Sequence, residues 1–217
     1  LFLKKKRIKV VQLGFRSNLD FFTKKNIKDH IQLFKPDIVL TWMSRASIML
    51  PENKDSNYKT VGRLGGYYNI KNYLKCDYLI ANTEDIRNYI IEKGWDPEKV
   101  FYIPNFVEKS SDEKVVKSKH ETPKDKTVLL ALGRFHENKG FDILIKSLKD
   151  LPDYYLWILG RGKLKKHYIQ IAEENNVISR IKFIDWVDEP SKYLNTADIL
   201  VCPSRIEPLG NIIIEAW

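Results

Sequence analysis

The chain has 217 residues, 43% of them hydrophobic and 12% aromatic, which is ample for a packed core and longer than one average α/β domain. Cys76 and Cys202 are its only cysteines, both beside apolar strand-like runs, which excludes a disulfide framework or a zinc site and suits a reducing cytoplasm. The net charge of +9 is uneven: 19 Lys and Arg face 11 Asp and Glu in residues 1–107, against 18 and 17 in residues 108–217. An anionic partner is therefore expected for the first half alone, although a lysine-rich surface explains the same excess equally well.

At the start, Leu1-Phe2-Leu3 precedes Lys4-Lys5-Lys6-Arg7, the wrong order for a signal peptide. No apolar run approaches the ~18 residues of a membrane span. The sequence opens without a methionine and stops at Glu215-Ala216-Trp217 inside a helical pattern, so a piece of a longer protein is expected. In chain order, strands are predicted at residues 8–13, 37–41, 77–82 and 100–103, then at 127–133, 154–160, 181–184 and 198–203. Helical patterns fill 24–34, 83–93, 139–149 and 164–175. Nearly all-apolar strands alternating with amphipathic helices indicate parallel sheets covered on both faces. Thr83 followed by Glu84-Asp85 reads as an N-cap, and Gly94 closes that helix. Residues 108–126 are polar and charged with Pro123, and read as a linker. The expected organisation is α/β with two Rossmann-like domains: 1–107, incomplete at its start, and 127–217, cut short at its end. Ligands of such folds bind outside the carboxyl ends of the strands.

Three segments of the second half fall at such ends. Gly133-Arg134-Phe135-His136-Glu137-Asn138-Lys139-Gly140 joins a strand to a helix. Its two cations, Arg134 and Lys139, could hold a diphosphate and stabilise the charge that grows as it leaves, or could be solvated cations at a turn. Gly160-Arg161-Gly162 permits close backbone approach to a ligand, but lacks the third glycine and the acidic residue of a dinucleotide fingerprint. Glu207-Pro208-Leu209-Gly210-Asn211 opens a helix that carries Glu215. Backbone N–H groups around Leu209, Gly210 and Asn211 would face an anion, and carboxylates accept hydrogen bonds from sugar and ribose hydroxyls.

In this order and spacing, the G-R-x-x-x-x-K-G turn, the G-x-G turn and the E-x7-E segment resemble the retaining GT-B glycosyltransferases of group 1, also called family 4. The resemblance is strong over residues 127–217. It extends more weakly to Val100-Phe101-Tyr102-Ile103-Pro104-Asn105-Phe106-Val107, which is similar to that family's "IPNGV" passage leading to the interdomain linker. It implies that Arg134 and Lys139 bind the donor diphosphate, with Gly133, Gly160 and Gly162 shaping the loops around it. It further implies that Glu207 takes hydroxyls of the transferred sugar beside the backbone of Leu209 and Gly210, and that Glu215 holds the ribose. Val187, after Trp186, matches the base-contacting loop, and Lys192 falls where some members reach the base. Such enzymes need neither a metal nor a protein nucleophile, so catalysis rests on positioning and charge stabilisation by Glu207, Arg134 and Lys139. No cofactor is expected.

The first half fits the pattern less well. His30 lies in a helical stretch, and Thr41-Trp42-Met43-Ser44-Arg45 and Gly62-Arg63-Leu64-Gly65-Gly66 are expected to form the ligand-facing loops. Arg45 and Arg63 there could bind an anionic acceptor. Its general look is similar to bacterial enzymes that extend lipopolysaccharide or other surface glycans. That likeness implies a cytoplasmic hexosyltransferase, peripheral on the inner face of the cytoplasmic membrane, moving sugar from a nucleotide sugar to a glycan or lipid-linked acceptor. A nucleotide-sugar epimerase of similar architecture and a truncated, non-catalytic nucleotide-sugar-binding module stay open as alternatives. No nucleic-acid-binding motif is present, so nucleic acid is not expected as a partner.

Overall fold

The structure, a computed structural model, describes residues 8–15, 20–53, 57–107 and 112–217. The chain divides into two compact units, Leu1–Asn105 and Phe106–Trp217. Each is built on a four-stranded sheet in which every pairing is parallel.

The first sheet runs β1 (Ile38–Trp42), β2 (Lys59–Leu64), β3 (Tyr78–Ala81), β4 (Val100–Tyr102), in that order across the sheet. Helices α1 (Phe21–Phe34), α2 (Met43–Ile48) and α3 (Glu84–Glu92) accompany it. Both long helices are capped as their sequences require: Asp20 accepts from the Thr23 N–H at 2.9 Å, and Thr83 from the Ile86 N–H at 3.1 Å. One face of the sheet packs Leu64, Leu79, Ala81 and Val100 against Tyr73, Ile86 and Ile90. On the other face Ile38, Leu40 and Trp42 stay half or more exposed.

Two expectations for this unit need correction. Residues 8–13 are not a strand: Ile8, Val10 and Val11 are exposed, and among the described residues no strand pairs with them. A strand exists only through its ladder partners, which an apolar run cannot supply by itself. Residues 59–64, part of which was expected as loop, form β2. There Gly62 is a packing requirement, because a Cβ would press to 2.8–2.9 Å on the side chains of Tyr73, Cys76 and Leu79.

The second sheet contains β5 (Thr127–Leu132), β6 (Tyr154–Leu159), β7 (Ile181–Ile184) and β8 (Ile199–Leu200), ordered β7-β6-β5-β8. Helices α4 (Phe141–Ser147), α5 (Lys165–Glu174), α6 (Ser191–Leu194) and α7 (Asn211–Ala216) follow these strands in turn. Alternate residues feed two cores. Leu129, Ala131, Leu156 and Ile158 meet Phe141, Ile145, Tyr168 and Ile171, while Val128, Leu130, Trp157 and Leu159 meet Tyr193. The chain builds outward from β5 to β7 and then returns to the far side of β5 for β8. This reversal is a topological switch point, where open α/β sheets form their ligand crevice.

The expected linker is also corrected over residues 112–126; its residues 108–111 lie outside the described residues. This segment belongs to the second unit. Thr196 Oγ1 accepts from the Val115 N–H at 2.7 Å, and Lys117 pairs with Asp198 at 3.1 Å. The buried Trp157 indole N–H donates to Thr122 at 3.0 Å, and the His120 ring lies 5.0 Å from that of Trp157. A few anchors suffice to dock a segment whose composition is otherwise that of a surface excursion.

Candidate functional site

Outside the carboxyl ends of β5 and β6 lies a cavity of about 1250 Å³, bounded on its far side by the segment that follows β8. It exceeds the usual ~300–1,000 Å³ of a small-ligand site, so a ligand of several linked groups fits.

Its first wall is the loop after β5. Gly133 N–H donates to Leu159 O at 3.0 Å and Phe135 N–H to Arg161 O at 3.0 Å, extending the β5–β6 ladder past the strand ends. Phe135 is 2% exposed and meets Phe141, Tyr168 and Phe183 edge-on at 5.8–6.2 Å. That anchor turns its neighbours Arg134 and His136 outward, and both line the cavity. The His136 imidazole caps the next turn by accepting from the Asn138 N–H at 3.2 Å, and Tyr168 holds the His136 carbonyl at 3.1 Å. Lys139 ends this turn and faces the same space.

The second wall is Gly160-Arg161, and the third is Trp186, Val187 and Asp188 after β7. The fourth is the segment from Ile206 into α7, contributing Glu207, Leu209, Gly210, Asn211 and Glu215. Glu207 is fixed from two sides: Oε2 accepts from Ser204 Oγ at 2.9 Å and from the Lys139 ammonium. Cations Arg134, Lys139 and Arg161 thus share the cavity with carboxylates Asp188, Glu207 and Glu215. Such a mixed lining suits a ligand that is anionic in one part and rich in hydroxyls elsewhere.

The structure brings together Gly133, Arg134, Lys139, Gly160, Val187, Glu207, Leu209, Gly210, Asn211 and Glu215 from the residues expected by sequence. Gly162 and Lys192 are not among the lining residues. Lys192 is held between Glu113 at 2.7 Å and Glu189 at 2.6 Å, and the hydrogen bonds it donates to both carboxylates push its pKa above the usual range. The expected reason for the glycines also changes. A Cβ on Gly160 would overlap the Gly133 carbonyl oxygen, and one on Gly162 would come within 2.5 Å of the Phe135 carbonyl oxygen. These glycines let two protein loops touch each other.

Arg45 and Arg63 belong to the first unit. Arg45 is exposed in α2. Arg63 lies inside β2 and not on a loop: it is 9% exposed, its guanidinium stacks 4.3 Å from the Trp42 ring, and it donates to Asn105. Burial lowers its pKa. Sequence reasoning missed His136, Asn138 and Arg161 as lining residues. Only the position of Arg161 between two glycines at a strand end could have signalled it. Among the described residues, no three His, Cys, Asp or Glu side chains gather as metal ligands, and no helix is long and apolar enough to cross a membrane.

Residues 112–217 match the family model described as "Glycosyl transferases group 1". Over these residues the second unit is similar to the group 1 glycosyltransferases. Most of the chain is similar to the lipopolysaccharide core biosynthesis glycosyltransferases LpsE and LpsD of Rhizobium meliloti. It is 36% identical to LpsE over 84% of this chain and 53% of LpsE, and 30% identical to LpsD over 91% and 57%. The chain thus spans a little over half the length of these curated relatives. Among solved structures it resembles HepE of Anabaena in complex with UDP and glucose, with a TM-score of 0.79 at 18% identity, over 99% of this chain and 66% of that one. The α/β architecture expected from the sequence, with parallel sheets flanked by helices, is the one observed, and the chain shares its fold with this structural neighbour.

Proposed function

We propose that the chain carries the donor-binding part of an enzyme that transfers a sugar from a nucleotide diphosphate to a glycan or lipid-linked acceptor, with retention of configuration. One observation carries this reading: two cations and two carboxylates from segments some seventy residues apart line one cavity at the switch point of the second sheet. The relatives named for lipopolysaccharide core synthesis, and a structural neighbour solved with UDP and glucose, support the same assignment.

In this reading the diphosphate lies along Arg134 and Lys139. One of the three Lys139 N–H donors serves Glu207, so the ammonium can bridge that carboxylate and a phosphate oxygen. As the bond to the sugar breaks, negative charge grows on the diphosphate, and fixed cations stabilise that state more than the ground state. Glu207, steadied by Ser204, accepts from hydroxyls of the transferred sugar and sets the angle of its reactive carbon. Glu215 accepts from the ribose, with the base toward Val187 and the exposed Trp186. The acceptor hydroxyl attacks on the face the diphosphate leaves from, and the departing diphosphate helps take its proton. No metal and no protein nucleophile take part. Arg45 and Arg63 belong to the acceptor side, and the basic first half favours the anionic inner face of the cytoplasmic membrane.

Thermal unfolding with and without nucleoside diphosphates tests the reading. UDP or GDP raises Tm, and Arg134→Ala or Glu215→Ala removes the shift. An unchanged Tm with UDP, GDP and ADP would overturn it.

A further inference from the structure

The residues above touch the ligand in the proposed reading; what holds them at the right spacing is a different matter. Lys139 sits on the loop after β5 and Glu207 on the loop after β8, and beyond the short β5–β8 pairing it is contacts between these loops that set their separation. Arg205 makes several of them. Its N–H donates to Asn138 O at 2.8 Å and its Nη1 to Glu137 O at 2.6 Å. The same guanidinium grips Asp142, the second residue of α4, in a two-pronged pair at 2.9 and 2.7 Å. Beside it Gly140, at φ +63°, brings its backbone against the Pro203 carbonyl so closely that a Cβ would overlap it.

We propose that Arg205 and Asp142 are positioning residues whose clamp joins the Lys139-bearing loop to the Glu207-bearing loop and so sets the diphosphate end of the cavity. The inference rests on the nucleotide-sugar reading. Arg205 is not among the cavity-lining residues, so it acts through its neighbours. The side chains of Arg205 and Asp142 are 41% and 25% exposed, and ion pairs that open to water contribute little to stability. The bidentate geometry specifies an orientation as well as an attraction. The guanidinium also accepts a second task, satisfying the Glu137 carbonyl in the turn that presents Lys139.

The test is calorimetric titration of the 217-residue chain with UDP and UMP, and with the guanosine and adenosine pairs. With whichever pair the unaltered chain binds, Arg205→Ala should weaken the diphosphate about tenfold, the size of a displaced charge-assisted contact. The monophosphate, held chiefly through ribose and base, should change less than about twofold, and Tm should fall by no more than ~4 °C. Arg205→Lys keeps the charge but loses the fork, and should behave like Arg205→Ala. Asp142→Asn should give the same selective loss, which keeps the test valid if Arg205→Ala folds poorly. The double variant should be no weaker than the worse single one, as for residues acting as a unit. Equal losses for diphosphate and monophosphate, or full recovery with Arg205→Lys, would overturn the clamp while leaving the nucleotide reading intact. If the unaltered chain binds none of the three diphosphates, the reading beneath fails and the clamp with it.

Discussion

The contact between the ends of β5 and β6 makes Gly160→Ala the most informative single substitution in the second unit. Gly160 has φ +147° and donates its N–H to Ile184 O at 2.9 Å, while Gly133 donates to Leu159 O at 3.0 Å. An added methyl would overlap the Gly133 carbonyl oxygen and lie 3.5 Å from the Phe135 ring. The obstruction is backbone, so a rotamer change cannot relieve it. Holding alanine at this φ costs about 1–3 kcal/mol. Parting the two loops gives up a backbone hydrogen bond worth about 1 kcal/mol more. A total near 3 kcal/mol corresponds to a Tm lower by roughly 12 °C for a unit of this size. Circular-dichroism melts of the variant measure it, with Gly210→Ala as control. At Gly210 φ is −80° and the atoms nearest a Cβ are side-chain carbons of Ile213 and Glu207, at 3.1–3.3 Å, so the change should stay within about 1 kcal/mol. A Gly160→Ala variant melting within ~3 °C of the parent would refute the claim that this glycine exists for loop-to-loop contact.

Other expectations follow from the second unit and the cysteines. Thr122→Val leaves the buried Trp157 indole N–H without its acceptor and should cost about 1–3 kcal/mol in guanidinium unfolding, whereas a true linker at residues 112–126 would show no effect. Burial first, and then the ammoniums of Lys119 and Lys182, lower the His120 pKa below its usual 6.5. A depressed folded-state value means stability that is complete above 6.5 and is lost as pH falls through that range. Tm should therefore drop between pH 7.5 and 5, and His120→Phe should flatten that slope; an equal slope in the variant contradicts the assignment. Thiol titration of the native protein should modify exposed Cys202 promptly. Cys76, 7% exposed and raised to about 11 by burial, should react only on unfolding, so two promptly reacting thiols would contradict its burial.

The sequence spoke clearly where local pattern and tertiary role coincide. Thr127–Leu132 and Tyr154–Leu159 are apolar runs buried on both faces, Ile181–Ile184 is a half-buried edge run, and all three strands lie within a residue of expectation. It misled where the two part. Residues 8–13 have a strand's composition but no ladder partner among the described residues, whereas β2 carries Gly62 and Arg63, whose reasons are the side chains of Tyr73 and Trp42. The cavity was legible because residues at consecutive strand ends converge by topology alone. Lys192 was not, since its pairing with Glu113 and Glu189 depends on where residues 112–126 dock. The Arg205–Asp142 contact spans 63 positions and has no local signature at all.

The central claim is that the cations and carboxylates of the second unit hold one nucleotide diphosphate in one cavity. A crystal soaked with UDP tests it most directly. The account predicts the diphosphate against Arg134 and Lys139 and the ribose against Glu215. Density for the nucleotide elsewhere on the chain, with those side chains unengaged, would contradict it.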